Sequence, residues 1–233
     1  MQRKDLEHLI SAVCAITNQE GILVIGSQSV LGTYSEYELP SATTMSTEAD
    51  VVPLEDDEAE SLASLIDGTI GEMSPFDQVY GYYAQGVGKR TAILPSGWAS
   101  RLVPLRSEQT KYHTGWCLEV HDLCSSKLMA NRDKDRAFVR ELINAELVSV
   151  GIISSRVDAT VVDESRKAIA RAWLAEQPQE QPNYREPATP HIPDDYAQQL
   201  SAVLATEYQA GAVRPPSGLP HGPFLPSRSI FPS

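Results

Sequence analysis

Between residues 22 and 53 the chain reads Ile-Leu-Val-Ile-Gly-Ser-Gln-Ser, then a variable stretch, then Ser46-Thr47-Glu48-Ala49-Asp50-Val51-Val52. The first run is short and wholly apolar, as expected of a strand in the middle of a sheet. It ends in Gly26-Ser27. The second run alternates, and carries two carboxylates one residue apart. In a strand, side chains at i and i+2 share a face, so Glu48 and Asp50 point the same way. Glycine lets a phosphate approach the backbone closely. Ser27 can donate to a phosphate oxygen, and a helix starting behind it adds aligned amides. A carboxylate pair facing such a turn is a seat for a hard divalent cation and the phosphate it neutralises.

The rest of the chain is consistent with a soluble globular protein. Its 233 residues are 42% hydrophobic and 21% charged, enough for one large domain or one domain with an appendage. No apolar run reaches the roughly 20 residues that span a bilayer. Met1–Glu7 has no apolar signal region behind Arg3-Lys4, so a cytoplasmic location is expected, without a membrane partner. Cys14, Cys117 and Cys124 have no CxxC spacing and read as reduced thiols, with Cys14 on the apolar face of a helix. The net charge of -12 disfavours duplex DNA, whose partners carry basic surfaces.

Periodicity predicts helices over residues 3–18, 56–66, 123–130, 133–145, 163–176 and 194–209, the fourth with Ala137, Phe138, Leu142 and Ile143 inward. It predicts strands over 22–25, 50–54, 78–85, 91–94, 101–105 and 116–120. Ser27–Leu31 reads as a helix start and 32–44 as an irregular loop. The acidic run Glu55–Glu60 reads as a solvated helix start, where the dipole favours anions. Asp122 reads as the N-cap of the helix that follows it. Helices alternating with strands, several of them consecutive, indicate an α/β or α+β domain with a mixed sheet flanked by helices, followed by a helical C-terminal part. The organisation expected is an α/β core over 1–120, a helical extension over 121–177, a Pro/Gln/Glu-rich linker over 178–192, and an amphipathic helix with a Pro-rich tail over 193–233.

A second constellation is Lys127-Leu-Met-Ala-Asn-Arg132-Asp133-Lys134-Asp135. Arg132 could grip a phosphate with both arms of its guanidinium. Lys127 and Lys134 would approach one face if a single helix ran through them. The competing reading is a charged surface with local ion pairs. His121-Asp122 superficially suggests a metal-dependent phosphohydrolase pair, but the only other histidines are His8, His113, His191 and His221, too scattered to complete one.

Taken together, Val24-Ile25-Gly26-Ser27-Gln28-Ser29, Thr47-Glu48-Ala49-Asp50-Val51 and the run from Asp122-Leu123 through Lys127-Leu128 to Arg132-Asp133-Lys134-Asp135 resemble the nucleotidyltransferase superfamily. More narrowly, the chain resembles bacterial minimal nucleotidyltransferases related to abortive-infection (AbiEii-type) toxin–antitoxin proteins, over residues 1–150. The resemblance implies transfer of a nucleotidyl group from an NTP to an RNA end or a protein hydroxyl. Glu48 and Asp50 would hold Mg²⁺ or Mn²⁺, Gly26 and Ser27 would cradle the triphosphate, and Lys127, Arg132 and Lys134 would balance phosphate charge, Lys127 as a catalytic cation. The implied partners are a nucleotide and an RNA or protein, with a homodimer among the possible forms. Three features depart from the family pattern. Twenty residues separate Ser27 from Glu48, about twice the family spacing. The first carboxylate is Glu. No third acid stands on a later expected strand except Glu119, which could instead cap a helix. The resemblance therefore also admits a protein that binds nucleotide without transferring it, as an antitoxin or scaffold.

Overall fold

The computed structural model describes residues 1–56, 60–88, 91–188, 190 and 192–203. Helix α1 (Arg3–Thr17) turns Leu6, Leu9, Ile10, Val13 and Cys14 inward and ends at Asn18 in the left-handed conformation, a common helix stop. It leads into β1 (Gly21–Ile25), every residue of which is buried. The reason is position: the sheet order is β3-β2-β1-β5-β4, which places β1 third of five. β2 (Glu48–Pro53) runs antiparallel to β1. β3 (Tyr83–Gly86) is parallel to β2, β5 (Thr114–Cys117) is parallel to β1, and β4 (Val103–Leu105) is antiparallel to β5. The sheet is therefore mixed, as the alternating pattern implies.

After β1 the chain makes a 3₁₀ turn, Ser27–Ser29, and a single helical turn, α2 (Val30–Thr33), before leaving the sheet. α2 lies so close to β5 that a Cβ on Gly32 would fall 2.5 Å from the Cβ of Cys117. α3 (Ser61–Ile70) packs against β3. On the C-terminal side, α5 (Val120–Ala130) touches α2 and the 3₁₀ turn on one side, and α6 (Asp133–Asn144), α7 (Val150–Asp158) and α8 (Glu164–Ala175) on the other. With neighbours on both sides, α5 buries nine of its eleven residues, so it has no polar face. α9 (Asp194–Val203) rests on the 3₁₀ turn Trp98–Arg101.

Several local expectations are corrected. Residues 78–85 are not one strand: Ser74 caps α4 (Pro75–Tyr80), with Pro75 in the first turn, and only Tyr83–Gly86 joins the sheet. Residues 91–94 form no strand, and the expected strand at 101–105 begins as the 3₁₀ turn. The strand expected at 116–120 ends at Cys117 because α5 begins at Val120. The N-cap of α5 is Glu119, whose carboxylate accepts from the amides of His121 and Asp122. Asp122 is instead buried between Arg101 and Arg156. Helix α3 starts five residues later than expected, at Ser61. The Asp56 carboxylate accepts from Leu62 and Ala63 N–H at its first turn, which is the anion placement that the dipole favours. Helix α7 is an addition the periodicity did not supply. Asp57, Glu58, His191, the end of the last helix up to Gln209, and the tail Ala210–Ser233 lie outside the described residues.

Candidate nucleotide-transfer site

The antiparallel register sets Asp50 opposite Ile25, the residue before Gly26. Gly26 adopts φ +70° and ψ -170°, a region essentially reserved for glycine. Its missing side chain is where the Asp50 carboxylate sits: a Cβ there would stand 1.9 Å from Asp50 Oδ2. The glycine is thus required twice, by the backbone turn and by the acid packed on it.

Glu48 and Asp50 share a face of β2, while Ala49 and Val51 on the other face are buried in the core. Burial and the adjacent Glu48 carboxylate push Asp50 up to about 6, against the opposing pull of Lys127 and Arg132. A like charge beside a carboxyl disfavours its ionised form. Tyr83 on β3 supplies a neutral contact: its hydroxyl donates to Glu48 Oε2 at 2.9 Å. Burial and then that carboxylate hold the Tyr83 phenol above its ordinary range.

Lys127 reaches the site from α5. Its Nζ donates to Ser27 Oγ at 2.9 Å and to Asp135 Oδ1 at 3.2 Å, and lies 4.5 Å from the centre of the Phe138 ring. Burial lowers its pKa and the Asp135 ion pair opposes that fall. Asp135, 1% exposed, also takes the Arg132 guanidinium at 2.5 Å and 3.3 Å. Burial alone would raise the Asp135 carboxyl; Arg132 and Lys127 together hold it below its usual range. One buried acid therefore orients both cations, and sequence reasoning had not singled it out as a site residue. Its signal was present: an acid three residues after Arg132 and eight after Lys127, across a helix break.

A break falls between the two expected helices, so no single helix brings Lys127 and Lys134 to one face. Asn131 is left-handed, at φ 55°, so α5 stops at Ala130 and α6 starts at Asp133. Lys127 and Lys134 lie on different helices. Lys127 faces Ser27, whereas Lys134 is exposed and makes no ion pair among the described residues. The local pairs of the competing reading also form, Arg132 with Asp135 and Arg136 with Asp133.

The third acid is the weak point. Glu119 is spent on the start of α5 and on His121 Nδ1, 2.5 Å away. On β3 the residue in register with Asp50 is Gln85, an amide where an acid would complete the set. Among the described residues, no three His, Cys, Asp or Glu side chains gather to hold a metal ion. Two carboxylates nevertheless fit Mg²⁺, which is commonly held by one or two acids together with substrate phosphates. The histidines stay out of this chemistry: His121 is buried, with its Nε2 accepting from Ser149 N–H and hydrogen-bonded to the Tyr184 hydroxyl. The three cysteines are free and buried, and burial raises the Cys14 and Cys117 thiols to about 12, which makes them poor nucleophiles.

Among the described residues, no helix is long and apolar enough to cross a membrane. No curated protein and no solved structure matches the chain. The model of a family described as nucleotidyltransferases of unknown function (DUF6036) matches residues 4–177, which hold every side chain of the site described above. The chain belongs to that family.

Proposed function

We propose that this protein transfers a nucleotidyl group from a magnesium-bound NTP to a hydroxyl of an RNA or a protein. The observation that carries this reading is the seating of the Asp50 carboxylate on the bare Cα of Gly26, one residue before a serine held by a buried lysine. Glu48 and Asp50 would hold Mg²⁺ or Mn²⁺, which would supply charge neutralisation at the phosphates. Gly26, Ser27 and the turn behind them would receive the triphosphate. Lys127, already at Ser27, and Arg132, held beside it by Asp135, would balance charge as pyrophosphate departs. Lys134 would contribute only by a side-chain movement, since it faces solvent. A toxin–antitoxin or phage-defence setting in a bacterial cytoplasm fits the resemblance of the three motifs.

Incubating the protein with Mg²⁺, each labelled NTP and total RNA or protein should label an acceptor, and Asp50→Ala should abolish labelling. Absence of labelling with every NTP, in Mg²⁺ and in Mn²⁺, would refute transfer. Gln85 in register with Asp50 favours a second reading, a nucleotide-binding protein without turnover, serving as an antitoxin or scaffold. It predicts a thermal shift with Mg-NTP but no pyrophosphate release.

A further inference from the structure

Three neighbouring strands bring three different groups to the same part of the sheet. β1 runs into Gly26-Ser27, β2 carries Glu48 and Asp50, and β3 carries Tyr83. Tyr83 is in register with Glu48, as Ile25 is with Asp50. The phosphate cradle and the phenol therefore lie on opposite sides of the carboxylate pair, roughly one strand spacing of ~4.8 Å from it on either side. Displacement at a phosphorus places the attacking and leaving oxygens roughly in line, on opposite sides of it. A triphosphate on Gly26-Ser27 with its α-phosphorus over the carboxylates would leave its pyrophosphate on the β1 side. The face open to attack would then look toward β3.

Ser29 Oγ is turned to the Gly26 carbonyl and Ser46 Oγ to the Glu48 backbone. Ser27 Oγ accepts from Lys127 on the cradle side. Tyr83 Oη is the hydroxyl that donates to a carboxylate of the pair, at 2.9 Å from Glu48 Oε2. That contact aims the oxygen at the pair.

We propose that Tyr83 is an acceptor, so that the protein modifies itself with a nucleoside monophosphate. The Tyr83 Oη–Pα bond forms as the Pα–O bond to the β-phosphate breaks. Pyrophosphate leaves toward Lys127, and magnesium held by Glu48 and Asp50 would supply further charge neutralisation there. The phenolic proton is lost to solvent, which reaches the half-buried Tyr83, and Glu48 stays a carboxylate that aims the oxygen. The product is a tyrosyl phosphodiester beside the pair, where it would block a second NTP, making the reaction self-limiting at one adduct per chain. The inference rests on the NTP-donor reading above and narrows it to an acceptor.

The test incubates the full-length protein with Mg²⁺ and each of the four NTPs. Intact mass, peptide mapping, pyrophosphate release and melting temperature are read on the same samples. The expected result is a gain of one nucleoside monophosphate, mapped to Tyr83 in the unsubstituted protein and lost in Tyr83→Phe and Asp50→Ala. Pyrophosphate release with an unmodified chain, or with the adduct on another residue, overturns the Tyr83 assignment and leaves the transfer reading standing. A thermal shift with no pyrophosphate overturns the Tyr83 assignment, and the labelling experiment with added RNA or protein then decides between transfer and binding alone. Neither shift nor release with any NTP overturns nucleotide binding as well.

Discussion

Gly26→Ala meets two obstacles at once: the new Cβ would collide with Asp50 Oδ2, and φ +70° with ψ -170° would have to be held by a residue that disfavours it. Backbone strain of this kind is of order 1–3 kcal/mol. We expect a melting temperature several degrees lower, and loss of any stabilisation by Mg-ATP because Asp50 is displaced. An unchanged Mg-ATP response would show that the acid does not need the glycine. Asp50 itself carries a pH signature. Its folded carboxyl titrates near 6, above its ordinary value of 3.8, so the folded protein binds this proton more tightly than the unfolded chain does. Its contribution is a penalty, complete above pH 6 and relieved as the pH falls toward 4. Asp50→Asn removes that penalty. It should raise the melting temperature at pH 8, by an amount corresponding to ~1–3 kcal/mol, and much less at pH 4.5. The same substitution should erase stabilisation by added Mg²⁺, which melts with and without the metal would read.

At the level of elements, the α5–α6 corner depends on Asp135. Removing one partner of a buried ion pair typically costs about 3–5 kcal/mol, because the other charge is left unpaired. Asp135→Ala strands Lys127 and frees Arg132, and denaturant melts should show a loss of that size. Asp135→Asn keeps the shape and one acceptor, so it should lose less stability. If both variants melt like the parent, Asp135 does not hold the corner. This corner also shows what could be read in the sequence. Gly26-Ser27 and Glu48-x-Asp50 were legible because strand alternation and an antiparallel return fix their faces locally. The apolar run Ile22–Ile25 likewise announced a central strand. The role of Asp135 was not legible, because it depends on Asn131 taking a left-handed turn that folds α6 back toward Lys127. Nor was α4: the aromatic alternation of Val79, Tyr80, Tyr82 and Tyr83 imitates a strand, while Ser74 and Pro75 dictate a helix start that tertiary packing then uses. The residue opposite Asp50 on β3 became visible only once that correction had moved the strand.

Across the whole molecule, the site and the C-terminal helix occupy opposite ends of β1. Gly26 follows the last residue of the strand. Gly21, its first, lines a cleft of about 530 Å³ with Trp116, Arg106 and Tyr196 of α9. Five residues of strand rise ~3.3 Å each, so the two ends are roughly 16 Å apart. α9 lies outside the family match at 4–177, yet Ala197 and Leu200 are buried, as is Ile192 just before it, and the Tyr196 ring lies tilted against Trp116 with centroids 5.2 Å apart. This packing gives α9 a part in the stability of the fold. Full burial of a large aliphatic side chain contributes ~1.5–3 kcal/mol before ordering entropy is subtracted. Ending the chain at Glu186 removes Ile192 and Leu200 and uncovers Trp116, and should lower stability by ~2–4 kcal/mol on that scale. Trp116 should then emit at longer wavelength, as its ring meets water. Added Mg-ATP should raise the melting temperature of the shortened chain by as much as that of the parent. If truncation abolishes that increment while the shortened chain still unfolds cooperatively, α9 acts on the nucleotide end through the sheet, and the separation of the two ends of β1 into a chemical end and a structural end is wrong.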